Sequence, residues 1–193
     1  LSLYALVLAL LTGSVEARQS HNDVSKQIAS NLTILGITLG KSTFAEVRRQ
    51  LGDAPVIDLG ETGRSVKRVC YNAPNGDDTR LVFESGAAGG WTQITGFQVL
   101  SGQLKSVQAN QCRADRRIGN KLRTAGGLGL GLSRSQVIKL LGVPTSAGGS
   151  TLVYKSLMSE KVISKVFDIQ IVIEIKFKGQ KTVSINVYRT ETD

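Results

Sequence analysis

Gly36-Ile37-Thr38-Leu39-Gly40-Lys41-Ser42-Thr43-Phe44-Ala45-Glu46-Val47-Arg48-Arg49-Gln50-Leu51-Gly52-Asp53-Ala54-Pro55 is met a second time, in outline, as Leu128-Gly129-Leu130-Gly131-Leu132-Ser133-Arg134-Ser135-Gln136-Val137-Ile138-Lys139-Leu140-Leu141-Gly142-Val143-Pro144. With a shift of 90, Thr43 matches Ser133, Glu46 matches Gln136, Val47 matches Val137, Leu51 matches Leu141 and Gly52 matches Gly142. One residue of slip aligns Gly40 with Gly131 and Pro55 with Pro144. Each matched position has a physical task. Thr43 and Ser133 are N-caps, with Glu46 and Gln136 as capping-box partners three residues on. Val47 and Leu51, like Val137 and Leu141, lie four apart and share one helix face. Gly52 and Gly142 suit the left-handed position that ends a helix, and the following proline stops it from continuing. Two capped helices of two to three turns are predicted, each too short to stand alone.

Strand-forming residues follow each helix. After the first come Ser65 to Tyr71, Thr79 to Glu84 and Trp91 to Leu100, with Asn75-Gly76 as a turn signal. After the second come Thr151 to Lys155, Val166 to Lys178 and Lys181 to Arg189, with Gly179-Gln180 as a two-residue hairpin. Phe167, Ile169, Ile171, Ile173, Ile175 and Phe177 alternate with Asp168, Gln170, Val172, Glu174 and Lys176, which predicts one dry and one wet face. The expected fold is α+β: two tandem modules, each of short helices packed on one face of its own antiparallel sheet. The modules span 34–118 and 128–193, joined by a Gly-rich connector over 119–127 and preceded by a tail or short helix over 18–33.

The first residues point to a compartment. Leu1 to Leu11 is almost unbroken apolar sequence, too short for a bilayer span of about 20 residues. With Val15 and Ala17 placed for cleavage before Arg18, residues 1–17 read as a secretory signal peptide, and the location as periplasmic or secreted. The absence of an initiating Met and of a basic leading segment predicts that the chain continues upstream. Leu11-Thr12-Gly13-Ser14 is close to a bacterial lipobox, but Ser14 stands where the acylated Cys would be.

The two cysteines, Cys70 and Cys112, read as a disulfide in an oxidising compartment, with two buried free thiols as the alternative. The net charge of +9 favours anionic partners, and removing Glu16 with the leader raises it by one. Nucleic acid is disfavoured, because the aromatics are few and not interleaved with the charges.

The order Gly-hydrophobic-x-Leu-Gly, cap, Glu/Gln-Val, Leu-Gly, Pro, then a strand with Val-x-Tyr or Val-Tyr, resembles the SmpA/OmlA (BamE) family of bacterial envelope proteins. The carrying residues are Gly36 to Pro55 with Val69-Cys70-Tyr71, and Leu128 to Pro144 with Val153-Tyr154. Two such units in tandem resemble the architecture of β-lactamase-inhibitory protein. The resemblance implies fold and carries no binding residue across.

No reaction is spelled out. His21 is the only histidine and lies in the polar tail, so neither a Ser-His-Asp nor a Cys-His arrangement can be nominated. Gly127-Leu128-Gly129-Leu130-Gly131 lacks both the dinucleotide fingerprint and a P-loop Lys-Ser/Thr and reads as a flexible connector. No metal site and no cofactor is implied, and the protein reads as a non-enzyme. The candidate partner-binding residues are Trp91, Tyr188, Arg113, Arg116 and Arg117. Trp91 is the lone Trp and has no counterpart in the repeat. The arginines belong to a basic segment with Lys121 and Arg123, in which Asp115 is the only acid. Tyr71 and Tyr154 occupy matching positions and read as core. Asn31-Leu32-Thr33 is a glycosylation sequon. The favoured function is an exported protein-binding module, of the inhibitor or envelope-accessory kind, with an acidic protein partner. The alternative is an envelope assembly or structural factor that contacts anionic lipid or glycan.

Overall fold

The computed structural model describes residues 26–60, 66–74, 76–102, 109–162 and 165–192. The expected signal peptide, the tail with His21, and Asn75 of the expected turn lie outside the described residues. Residues 26–30 are helical (α1) and lead into a small hairpin, β1 (Thr33–Ile34) and β2 (Ile37–Thr38). Both capped helices form, as α2 (Phe44–Leu51) and α3 (Arg134–Leu141). Their capping boxes are complete: Glu46 N donates to Thr43 Oγ1 at 3.3 Å, and Gln136 N to Ser133 Oγ at 3.2 Å. The return bonds run from Thr43 N to Glu46 and from Ser133 N to Gln136, both at 2.8 Å. Gly52 and Gly142 leave the helices at positive φ (93° and 78°), though with extended ψ rather than a left-handed helical turn.

After α2 come β3 (Ile57–Leu59), β4 (Val66–Asn72), β5 (Thr79–Ser85) and β6 (Gly96–Ser101), then the two-residue β7 (Arg113–Ala114). After α3 come β8 (Ser146–Gly148), β9 (Thr151–Val162), β10 (Lys165–Lys178) and β11 (Lys181–Thr192). Each half thus runs helix, three-residue strand, then three longer strands. The strands form one antiparallel path, β3-β4-β5-β6-β11-β10-β9-β8, to which β7 adds in parallel on β4.

The α+β expectation is overturned. The described residues are mostly β, 47% strand against 17% helix, with nine strands in a single large sheet that is antiparallel but for β7. They are not a pair of separate helix-on-sheet modules. The reason lies in the last strand of each half. β6 and β11 would each leave a row of unpaired N–H and C=O groups, and an unpaired edge is a template for another strand. They pair with each other, Gly96 to Leu100 against Tyr188 to Ser184, and two sheets become one. Strand length adds to this, since β9, β10 and β11 have 12, 14 and 12 residues while each capped helix has 8.

One hydrophobic cluster runs through both halves, containing Val47, Leu51, Val137 and Leu141 from the helices together with Tyr71, Phe83, Phe97, Tyr154, Ile173 and Ile185 from the sheet. Burying a side chain of this size contributes roughly 1.5–3 kcal/mol. The dry face of β10 holds at Ile169, Ile171, Ile173, Ile175 and Phe177, all at 6% exposure or less, but Val172, expected on the wet face, is buried too, at 3%. Phe167, expected on the same dry face, is 37% exposed because the β9–β10 hairpin runs past the core. The Gly-rich stretch is no loose tether. Leu122, Leu128 and Leu130 enter the core, and Ala125 N donates to Thr33 O at 2.8 Å. Asn31 of the sequon is 1% exposed and bonded through its amide to Gln27 O and Thr124, so it presents nothing to a glycosylating enzyme.

Candidate functional site

Cys70 and Cys112 form a disulfide. It pins the arm that carries β7 against β4, where Tyr71 pairs with Arg113 and Asn72 with Ala114. This brings the basic segment to the C-terminal end of α2. Arg117 Nη2 donates to Gln50 O at 2.8 Å and also pairs with Asp115. The Arg113 guanidinium lies over Gly52 and reaches Asp53 O at 3.5 Å. Cations here complement the negative end of the helix dipole and satisfy its open carbonyls. The Arg117 side-chain hydrogen bond holds the Asp115 carboxyl below the usual carboxylate range. Arg113 and Arg117 therefore finish a helix, while Arg116 stays exposed on the same arm.

The other two expected contact residues lie elsewhere. Tyr188 is half-buried on β11, opposite Gly96 and Val172, on the sheet face away from the helices. β4, which carries the arm, is three strands from β11, about 14 Å at ~4.8 Å per strand. Trp91 does not begin a strand. It sits at φ 64° in the turn after a 3-10 helix (Ala87–Gly89) and is half-buried. That turn supports α2, because Phe44 N donates to Thr92 O at 3.0 Å. The five residues are thus not brought together into one site.

A different surface is assembled at the protruding end of the β9–β10 hairpin. Leu157 is 69% exposed and Met158 39%, close by the exposed Phe167. On the core side of the sheet, a cleft of about 280 Å³ opens between this end and the β1–β2 hairpin. Leu32, Leu39, Met158, Ile169 and Ile171 line it, with Lys41 and Arg189 supplying cations. The β1–β2 turn is made by Leu35 and Gly36, both at positive φ, and Gln50 Nε2 holds Leu35 O in place. Leu39 N then donates to Leu32 O at 3.0 Å, which sets both leucines over the cleft. Gly40 turns beside it at φ 72°, a backbone conformation that favours glycine, and the Arg189 guanidinium packs over it.

The register joins these parts. Met158 pairs with Ile169 and Ile171 with Arg189, so all four point to the core side. Leu157 pairs with Gln170 on the opposite face. The outer side of β9 is covered by β8 only at Thr151 to Val153. Lys155 N points outward to Thr145 Oγ1 at 2.9 Å, and beyond it no described strand pairs that edge. Apolar side chains, a cleft with cations and a bare strand edge together suit contact with another polypeptide more than chemistry on a small molecule. Sequence reasoning ended the strand at Lys155 and so missed Leu157 and Met158. The signal was there in the continued alternation of Tyr154, Ser156 and Met158 against Val153, Lys155 and Leu157.

Asp77 closes a second, polar groove near Asn120, accepting from Thr79 N at 2.8 Å and Asn120 N at 3.0 Å. Hydrogen bonding from Thr79 holds its carboxyl below the usual range, and these bonds tie the arm to β5. Among the described residues no group of three or more His, Cys, Asp or Glu side chains could hold a metal ion. No helix among them is long and apolar enough to cross a membrane. No protein-family profile, curated protein or solved structure matches the chain.

Proposed function

We propose that this is an exported, non-enzymatic protein-binding module whose contact surface is the protruding end of the β9–β10 hairpin with the cleft beside it. The observation that carries the reading is an exposed apolar hairpin end, with Met158 and Phe167 on the face that bears the cleft and Leu157 on the other. Clustered apolar groups on a surface cost solubility unless something covers them. The leader-like Leu1 to Leu11 and the disulfide support export, since disulfides persist in oxidising compartments. Lys41 and Arg189 at the cleft, with a net charge of +9, favour an acidic partner. An inhibitor or envelope accessory protein, as the SmpA/OmlA (BamE) and β-lactamase-inhibitory protein resemblances suggest, is the finer form of this reading. A role on anionic lipid or glycan draws less support, because Arg113 and Arg117 are engaged at the end of α2.

A photoreactive side chain at position 157 tests it, with one at the exposed Lys178 as control. In an extract of the native envelope or secreted fraction, position 157 is expected to capture a defined protein that position 178 does not. Leu157→Asp is then expected to weaken binding of that purified protein about tenfold or more, as for a central apolar anchor. Equal, diffuse labelling from both positions would remove the proposal.

A further inference from the structure

We infer that the outer edge of β9 beyond Val153 receives a β-strand from the partner, a segment alternating apolar and acidic residues. This rests on the protein-binding reading and names how the partner is held.

The main chain supplies the first argument. Lys155 N points away from β10, toward Thr145 Oγ1, and the β9–β10 register is unbroken from Thr151 to Val162. With a period of two, the N–H and C=O groups of Leu157 and Ser159 also point outward. Among the described residues no strand pairs this regular ladder, which another strand satisfies best.

The protein supplies its own precedent. β4 occupies in the first half the place of β9 in the second, after helix and three-residue strand. β3 covers β4 at one end of its outer edge, and beyond it β7 adds to the same edge, locked by the Cys70–Cys112 disulfide. The equivalent stretch of β9, past β8, has no such cover among the described residues. What occupies that place in the first half is an added strand.

Side chains decide the chemistry. A strand on this edge lies beside Leu157 on one face and beside Met158 and the cleft on the other. Apolar residues on the cleft face match Met158, Leu39 and Leu32, and acidic ones on the other face lie beside the exposed Lys155. A second copy of the chain fits poorly, since it would bring another +9 to the same place.

The test uses the whole chain and three synthetic peptides: one alternating Val and Glu, one alternating Val and Lys, and the Val-Glu peptide methylated on alternate main-chain nitrogens. Fluorescence anisotropy at low salt reads binding. The Val-Glu peptide is expected to bind roughly tenfold or more tightly than the Val-Lys one, the factor that ~1.4 kcal/mol represents. Methylation is expected to abolish binding. Ser159→Pro, which removes an outward N–H and leaves the ladder to β10 intact, is expected to do the same. Ser159→Ala loses only the hydroxyl bond to Asp168 and is expected to retain binding. Three results would overturn the inference: equal binding of the methylated peptide, equal binding of the Val-Lys peptide, or no binding of any. Dimerisation of the protein that Ser159→Pro abolishes, seen by ultracentrifugation, would also overturn it, since the occupant would be a second copy. Photocapture at position 157 separates the two levels. If capture succeeds while the peptides fail, strand addition falls and the contact surface stands. If capture fails too, both fall.

Discussion

At the C-terminal end of α2, Gln50 O receives Arg117, Gly52 O receives the Tyr71 hydroxyl at 2.8 Å, and Arg48 pairs with Asp53. At the matching end of α3, Ile138 and Val143 stand where Arg48 and Asp53 would be, 37% and 83% exposed. Tyr154, the counterpart of Tyr71, is equally buried, and burial pushes both hydroxyls up to about 12. Yet the Tyr154 hydroxyl has no hydrogen-bond partner among the described residues. The N-terminal ends of the two helices are alike, each with a full capping box. The difference teaches where repetition stops. A helix start is written in four consecutive residues and is copied with them. The finish of α2 depends on an arm about 60 residues further along the chain, held by a disulfide, and among the described residues α3 has no equivalent.

Removing the disulfide should break the comparison most strongly. For Cys70 and Cys112, 42 residues apart, the chain-entropy relation gives about 4 kcal/mol. The double Cys→Ser variant is expected to lose about that in denaturant unfolding. Amide exchange should show the last turn of α2 losing more protection than that of α3. Equal losses would mean that the arm serves the whole sheet rather than one helix.

The tyrosines sharpen it. Tyr71→Phe removes a hydrogen bond to Gly52 O and should cost about 1 kcal/mol. Tyr154→Phe removes a buried hydroxyl that bonds to nothing described, and should cost nothing or stabilise slightly. Thermal melts of both variants against the parent decide this, and equal losses would erase the asymmetry.

Arg117→Ala should have the smallest effect, about 0.5–1 kcal/mol, because the pair is largely solvent-screened at the arginine. Its pH dependence carries a sign. The folded Asp115 carboxyl is depressed, first by the Arg117 hydrogen bond. Its contribution is therefore complete above the unfolded value of about 3.9 and is lost as pH falls through the lower folded value. The gap between parent and Arg117→Ala should be full at neutral pH and shrink in acid. A gap independent of pH would assign the effect to the helix carbonyls alone.

The local features were the legible ones. Thr43, Glu46, Ser133 and Gln136 announced both helices because capping is settled within one turn. Ile169 to Phe177 announced a dry face, and Cys70 with Cys112 announced a disulfide. Sheet assembly was not legible, because nothing in Gly96 to Ser101 says that its outer neighbour begins at Lys181. Arg113 and Arg117 read as contact residues because their charge is visible in the sequence, while the Gln50 and Asp53 carbonyls they meet are not. Phe167 was placed inside by alternation, which gives the face of a strand but not how far the core extends beneath it. Leu157 was missed for the converse reason, since its strand outlasts the part that packs.

The pairing of β6 with β11 has a consequence for synthesis. β6 is complete at Ser101 and its neighbour begins at Lys181, about 80 residues later on the ribosome. At ~5–20 residues per second, that is a delay of roughly 4–16 s. Through this interval the nascent first half carries a finished strand without its mate, open to neighbouring chains.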